Sequence, residues 1–365
     1  MTNVIAVVSI AVAVSGLGAA VRTSAHAAQV QALASASTSS SSGRGLLPAL
    51  PPHPARAASA GVKKAPPPAP AATVPAAPAA APPAPAGPIP VAQVALPLVD
   101  SSRQAGSGPR VLTTSVWYPA AAGSPDNVAA PAAPGGPFPL IVFAHGYNVT
   151  PAAYAGLLRS WARAGYVVAA PTFPLTNPGA PGGPDEADVA NQPADVRFVI
   201  DQLLWADAKP GPLGGLIDPH KIGVAGHSDG GITAAEVAYN TCCRDPRISA
   251  AILMAGAAIG VPGGSYFPPG SAPMLAIQGG ADHSNNPVNG LRLYLSDGGG
   301  PRYLLTLPGA SHEGPFMGGG PAADVVQAAT IDFFGRYLKT GTASSLMHDG
   351  SVPGVATIVA PLGQS

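Results

Sequence analysis

The segment around Ser228 has the residue types and spacing of a nucleophile site. Gly226-His-Ser-Asp-Gly230 fits the pattern G-x-S-x-G, and it follows a short apolar run and precedes a helix-forming run. A serine at the tip of a strand-to-helix turn projects its hydroxyl above the sheet, and the flanking glycines let strand and helix approach closely. Because the chain contains 45 glycines, chance alone could produce the pattern, and the flanking context carries the prediction.

A serine hydroxyl needs an imidazole to accept its proton and a carboxylate to orient that imidazole. We assign the carboxylate to Asp282, which follows an apolar run at residues 274–278, and the imidazole to His312, which follows the next run at 302–307. Both side chains would lie at the carboxyl ends of strands, where open parallel sheets place their ligands. The sequence therefore predicts a triad of Ser228, Asp282 and His312.

Other histidines and aspartates compete for these two roles. His283 is the main alternative to His312, but it neighbours Asp282, and adjacent residues rarely face each other as an acid and a base must. Asp195 and Asp218 fit better as helix caps or surface groups.

Acyl transfer through a tetrahedral intermediate also needs two N–H donors aimed at the developing negative charge. We predict that one is the backbone N–H of Asp229, directly after the nucleophile, and that the other is the N–H of Tyr147, in the turn after residues 140–143. His145 and His227, which stand beside these two positions, are expected to orient or pack against them.

The elements that must position these residues are short apolar runs that alternate with longer helical stretches, a pattern typical of a parallel sheet covered by helices. We predict strands at residues 110–118, 140–143, 167–171, 222–225, 250–254, 274–278 and 302–307. We predict helices at residues 151–164, 187–206, 230–239, 287–295 and 322–338. The expected fold is α/β, with a mostly parallel central sheet and helices on both faces.

The two ends of the chain differ in composition from its middle. Residues 1–27 predict a signal peptide that is cleaved near Ala27, with an uncleaved anchor as the alternative. Residues 28–97 are Ser-rich and then Ala/Pro-rich, which predicts a disordered spacer, either a stalk or a passive leader. A catalytic domain at 98–341 and an irregular tail at 342–365 follow. We expect a protein that is secreted or associated with the cell envelope.

Charge and cysteine usage exclude several classes of function. The 18 basic and 18 acidic residues balance, which gives no sign of a nucleic-acid partner. Cys242 and Cys243 are adjacent, with Cα atoms closer than an ordinary disulfide prefers, so we expect packed thiols, with a vicinal disulfide as the alternative. The sequence has no metal-ligand spacing and no phosphate-binding fingerprint, which predicts an enzyme without metal or cofactor.

The substrate cleft is expected to be open. No insertion is long enough for a separate cap domain, and the longest irregular stretch, residues 172–186, is Pro/Gly-rich and predicted to line the cleft. We predict that Phe173, Phe316 and Met317, together with Tyr147, form its apolar wall, with a position in the core as the alternative for each of them.

Several segments together match the pattern of a known superfamily: Trp117-Tyr-Pro119, His145-Gly-Tyr147, Gly226-His-Ser-Asp-Gly-Gly231, Asp282 and His312. On these residues, from about residue 110 to 338, the sequence resembles the α/β-hydrolase superfamily, and within it the dienelactone-hydrolase, chlorophyllase and cutinase-like polyester-hydrolase group. Dienelactone hydrolases use a cysteine where this chain has Ser228, which favours an esterase. The cutinase-like enzymes carry a tryptophan where this chain has Ala255-Gly-Ala257, which argues against polyester activity.

Motifs and resemblance together predict an exported serine hydrolase that cleaves small-molecule or lipid carboxylic esters through an acyl-enzyme. One alternative is an acyltransferase of the cell envelope that uses the same triad. Another is a surface binding protein that keeps a hydrolase scaffold, which would predict a broken triad.

Overall fold

A computed structural model describes residues 89–259, 263–296, 298–339 and 345–360. The predicted signal peptide and most of the predicted spacer lie outside the described residues. The strands are β1 (Val91–Ala105), β2 (Gly108–Pro119), β3 (Phe138–Ala144), β4 (Val167–Thr172), β5 (Ile217–His227), β6 (Ile248–Met254), β7 (Met274–Gly279), β8 (Arg302–Leu307) and β9 (Thr357–Val359). They form one nine-stranded sheet in the order β1-β2-β4-β3-β5-β6-β7-β8-β9.

The helices connect and cover these strands. They are α1 (Ala155–Arg163), α2 (Gln192–Asp207), α3 (Asp229–Tyr239), α4 (Val288–Leu295), α5 (Gly314–Met317), α6 (Pro321–Leu338) and α7 (Leu346–Asp349). Short 3-10 turns, Pro151–Tyr154 and Glu186–Asn191, precede α1 and α2. Within the described ranges, none of the helices combines the length and the apolar character needed to cross a membrane.

The central strands run parallel. Strand β3 is parallel to both β4 and β5, and β5 to β8 follow in the same direction. The strands β1 and β2 at one side of the sheet and β9 at the other are antiparallel to their neighbours. The carboxyl ends of β3, β5, β7 and β8 therefore meet at one edge of the sheet, which brings the loops with the predicted site residues together.

Side chains of the sheet divide between two apolar cores. Ile141 and Phe143 of β3 pack with α1 and α6, whereas Leu140 and Val142 of the same strand pack with α2 and α3. Such alternation places one core on each face of the sheet. The predicted α/β fold, with helices on both faces of a mostly parallel sheet, is confirmed.

The first strand begins earlier than predicted. β1 starts at Val91, within the segment predicted as spacer, so the predicted domain boundary at residue 98 is wrong. Val91 and Ala92 are fully buried, and the Val91 N–H donates to Asp126 Oδ1 at 2.7 Å. Pro97 obscured the strand in the sequence, but β1 is an edge strand, where a missing N–H is tolerated.

The C-terminal segment is more ordered than predicted. Leu346 of α7 and Ile358 of β9 are only 1% and 5% exposed, and both belong to one of the apolar cores. β9 pairs with β8, and the Tyr294 hydroxyl donates to the carbonyl of Ala360 at 2.7 Å. The prediction of an irregular tail is therefore wrong for these residues, because the glycines, serines and proline around it outweighed the short apolar run at residues 355–360.

The two cysteines form a disulfide with each other. Cys242 and Cys243 are bonded although their Cα atoms are 3.8 Å apart, so the expectation of packed thiols is wrong. They lie in a turn after α3, where the Cys243 N–H donates to the carbonyl of Asn240 at 3.0 Å. The Cα spacing of adjacent residues therefore does not exclude the bond.

Candidate active site

Ser228 lies in a sharp turn between β5 and α3. Its φ of 57° and ψ of −121° lie in a region that residues other than glycine rarely adopt, and such strain is concentrated at functional sites. A Cβ on Gly226 would collide with the carbonyl of Gly230, and a Cβ on Gly230 would collide with that of Ala144. Both glycines of the motif are therefore required for β5, α3 and β3 to approach one another.

The three residues of the predicted triad form one chain of hydrogen bonds. His312 Nε2 lies 2.9 Å from Ser228 Oγ, and His312 Nδ1 lies 2.8 Å from Asp282 Oδ2. A carboxylate accepts hydrogen bonds only, so Nδ1 carries the proton and Nε2 is left to accept from the serine hydroxyl. This tautomer is the one that a general base beside Ser228 requires.

Asp282 is held as a carboxylate. Its side chain is fully buried, and burial works against ionisation, but hydrogen bonds from His312 and from the N–H groups of Asn285 and Ser284 outweigh this effect and lower the pKa of Asp282. The two N–H groups lie 2.8 and 2.9 Å from Oδ1. Gln278 Nε2 adds a hydrogen bond to Oδ2 at 3.1 Å. An anion is therefore present to stabilise a protonated His312.

The predicted oxyanion donors flank the nucleophile. Asp229 is the first residue of α3, directly after Ser228. On the other side, a Cβ on Gly146 would lie 3.2 Å from the Cβ of Ser228, so the turn after β3 passes beside the nucleophile. Tyr147 follows in this turn, and its hydroxyl donates to the carbonyl of Pro184 at 2.9 Å. The turn is thereby tied to the loop that was predicted to line the cleft.

Two comparisons with known proteins bear on the fold and on the class of reaction. Residues 112–261 match the family model of the chlorophyllases. A ferulic acid esterase from Streptomyces cinnamoneus is 26% identical, with a TM-score of 0.56, over 72% of this chain and 94% of that chain. The chain is an α/β-hydrolase in fold, and the two similarities support a carboxylic ester hydrolase. A search of curated protein sequences found no match.

One further side chain, that of Asn285, connects the loops of the site, and the sequence analysis missed it. Asn285 Nδ2 donates to the carbonyl oxygens of Ala255 and Gly256, while Asn285 Oδ1 accepts from Asn289 Nδ2 at 2.6 Å. Because the Asn285 N–H also donates to Asp282, the loop that carries Asp282 is attached to the end of β6. The polar run after β7 was the available signal, but the carbonyl partners cannot be identified from sequence.

The competing residues lie in other surroundings. His283 is exposed, and Asp195 is buried in an ion pair with Arg110, whose Nε lies 2.6 Å from Asp195 Oδ1. Asp218 Oδ1 accepts the N–H of His220 at 3.0 Å, where the register of β5 against β3 shifts. Across the described residues, no group of three or more His, Cys, Asp or Glu side chains could hold a metal ion.

Two of the residues predicted to line the cleft are core residues instead. Phe173 is fully buried, and its ring centroid lies 4.9 Å from that of His145. Phe316 is 2% exposed, and its ring lies 4.8 Å from that of His227. The prediction that these two rings contact substrate is therefore wrong, because loop position does not reveal which way a side chain points. Met317 is partly buried against the same core as Phe316 and stays a prediction.

Proposed function

We propose that the protein is an exported carboxylic ester hydrolase that acts through Ser228, His312 and Asp282. The observation that supports this proposal is the unbroken hydrogen-bond chain from Ser228 Oγ through His312 to a buried carboxylate, placed at a strained turn. A hydrolase scaffold kept only for binding would have no need of this arrangement.

In the proposed reaction His312 Nε2 takes the proton of Ser228 Oγ as that oxygen attacks the ester carbonyl. The oxyanion that forms is stabilised by the N–H groups of Tyr147 and Asp229. His312 then gives the proton to the leaving alcohol, and an acyl-enzyme remains. Water, deprotonated by His312, releases the acid and restores the serine. All steps use side chains, amides and water, so the proposal requires no cofactor.

The proposed substrates are small-molecule or lipid esters outside the cytoplasm. Support for export comes from residues 1–27, with their apolar run and small-x-small cleavage pattern, and from the Ala/Pro-rich segment that follows. The segment at 28–90 could hold the catalytic domain at the cell envelope. Cell fractionation with an antibody against the catalytic domain tests this: recovery of the protein in the cytosol at full length would contradict export.

The chemical proposal is tested with p-nitrophenyl esters of increasing acyl chain length. The purified protein should release p-nitrophenol, Ser228→Ala should lower kcat by about 10⁴-fold or more, and Ser101→Ala, at an exposed serine of β1, should leave it unchanged. Activity that survives in Ser228→Ala contradicts the assignment. Product analysis with an added alcohol completes the test, because a new ester in excess of the acid would identify an acyltransferase instead.

A further inference from the structure

His227, the residue before the nucleophile, is buried between two parts of the site. It is 1% exposed, its Nε2 lies 2.9 Å from the carbonyl oxygen of His312, and its Nδ1 lies 2.8 Å from the hydroxyl of Tyr154. Its ring centroid is 4.6 Å from that of His312. The mechanism proposed above uses neither His227 nor Tyr154.

The direction of these hydrogen bonds follows from the chemistry of the groups. Burial, reinforced by the neighbouring His312, lowers the pKa of His227 to about 3, so the ring is neutral and carries one proton. The His312 carbonyl can only accept, which places that proton on Nε2 and leaves Nδ1 to accept from the Tyr154 hydroxyl. The Tyr154 oxygen in turn accepts the N–H of Gly146 at 3.2 Å. One arrangement of protons thus satisfies all four groups.

The resulting chain of hydrogen bonds joins two loops that are distant in sequence. It runs from the N–H of Gly146, in the turn after β3, through Tyr154 and His227 to the backbone of His312, in the loop after β8. The first loop carries the proposed oxyanion donor and the second carries the proposed general base. Tyr154 is fully buried, and its ring centroid lies 4.7 Å from that of Phe143. This packing holds the Tyr154 hydroxyl in place between the two loops.

We propose that Tyr154 and His227 are positioning residues that hold the oxyanion turn and the backbone of His312 in a fixed relation to Ser228. Neither touches the reacting atoms, and both act through the main chain of their neighbours. The inference rests on the proposed function, because it assigns the two residues to the same site. A purely structural role would affect stability alone, whereas a positioning role affects turnover, since displacements of about 1 Å at reacting groups can cost roughly 100-fold in rate.

The test compares Tyr154→Phe, His227→Phe and the double variant with the wild type. Each substitution keeps a ring of similar volume and removes hydrogen bonds. We expect kcat to fall about 10-fold to 100-fold in each single variant, with KM changed less than about twofold. Because both residues belong to one chain, the double variant should lose little more than the worse single variant.

The matched control is Tyr239→Phe. Tyr239 is also fully buried and also donates to a carbonyl, that of Pro273 at 3.0 Å, but it lies at the far end of α3 from Ser228. Loss of the Tyr239 hydroxyl should lower the melting temperature without changing kcat. Ser228→Ala is measured in parallel: if it keeps activity, the proposed function fails, and if it is inactive while Tyr154→Phe turns over as fast as Tyr239→Phe, this inference alone fails.

Losses in the double variant that equal the product of the two single losses would also overturn the inference, since they would show two independent contributions. Thermal melting of every variant establishes that kcat is measured on folded protein. Should one single variant not fold, the kcat and KM of the other are judged by the same criterion.

Discussion

At the scale of single residues, the environment of a side chain decides its chemical state. Asp282 and Glu236 are both buried carboxyls, yet the first is held ionised by His312 and two backbone N–H groups, whereas burial raises the pKa of the second to about 9. Glu236 lies on α3, is 1% exposed, and its Oε2 has no hydrogen-bond partner among the described residues. A neutral Glu236 therefore lies within the helix that starts at the nucleophile.

The free energy of unfolding should depend on pH because of the raised pKa of Glu236. The pKa of Glu236 is raised in the folded state, so the stability linked to its proton is fully present below its ordinary pKa and is lost as the pH rises toward 9. Glu236→Gln keeps the shape and removes the titration. The difference in free energy of unfolding between Glu236→Gln and the wild type should therefore grow by about 1.4 kcal/mol per pH unit in favour of the variant. From pH 5 to pH 8 this amounts to a few kcal/mol.

Urea unfolding at the two pH values measures this gain. Asp324→Asn, at an exposed carboxyl of α6, is the control substitution and is measured in parallel. A Glu236→Gln variant whose advantage does not grow with pH would show that Glu236 is ionised in the folded protein.

Sequence reasoning at this scale predicted that Ser228, Asp282 and His312 follow strand ends, because the chemistry dictates the residue types and the fold dictates their order. The structure brings the three side chains into one chain of hydrogen bonds. It could not find the links made by His227 and Asn285. Their partners are main-chain carbonyls from other loops, and a carbonyl group is the same in every residue.

At the scale of elements, the junction of β5, α3 and β3 requires glycine at two positions. Gly226 and Gly230 lie where any side chain would meet backbone, which cannot move aside as a side chain can. Close packing here is what places the start of α3, and with it Ser228, at the edge of the sheet.

We expect Gly226→Ala to destabilise the protein by about 4 kcal/mol or more, because the new methyl group overlaps the carbonyl of Gly230. The same substitution at Gly156, an exposed residue of α1 with open space around it, should instead stabilise by about 0.5–1 kcal/mol through better helix propensity. Thermal melting of the two variants measures both effects. Equal stability of the two would contradict the packing described at the junction.

The central strands and long helices were predictable because a buried parallel strand is a continuous apolar run and a covering helix has a longer period. The edges of the sheet were not. β1 contains Pro97 and follows an Ala/Pro-rich segment, and β9 is a three-residue strand that follows Pro353 and Gly354, so neighbouring turn-forming residues obscured both strands.

At the scale of the whole molecule, the two chain ends of the catalytic domain complete the sheet at its opposite edges, β1 on one side and β9 on the other. The extent of the folding unit is therefore wider than residues 98–341. We expect a chain that begins at Ile89 to fold with the melting temperature of the full-length protein, and a chain that begins at Leu98 to melt well below it.

The physical reason is that the shorter chain loses the buried Val91 and Ala92 and the hydrogen bond from Val91 to Asp126. Differential scanning calorimetry of the two truncated chains and the full-length protein makes the comparison. Equal melting temperatures for the two truncated chains would show that the first half of β1 adds nothing to the fold.

The central claim is that Ser228 is the nucleophile of an acyl-transfer triad, and covalent labelling tests it most directly. A fluorophosphonate ester reacts with a serine that is activated by a neighbouring base and leaves a stable adduct on its oxygen. Intact-mass measurement and peptide mapping should show a single adduct on Ser228, formed as ester hydrolysis is lost. An adduct on another residue, or full hydrolytic activity in protein labelled at Ser228, would contradict the account.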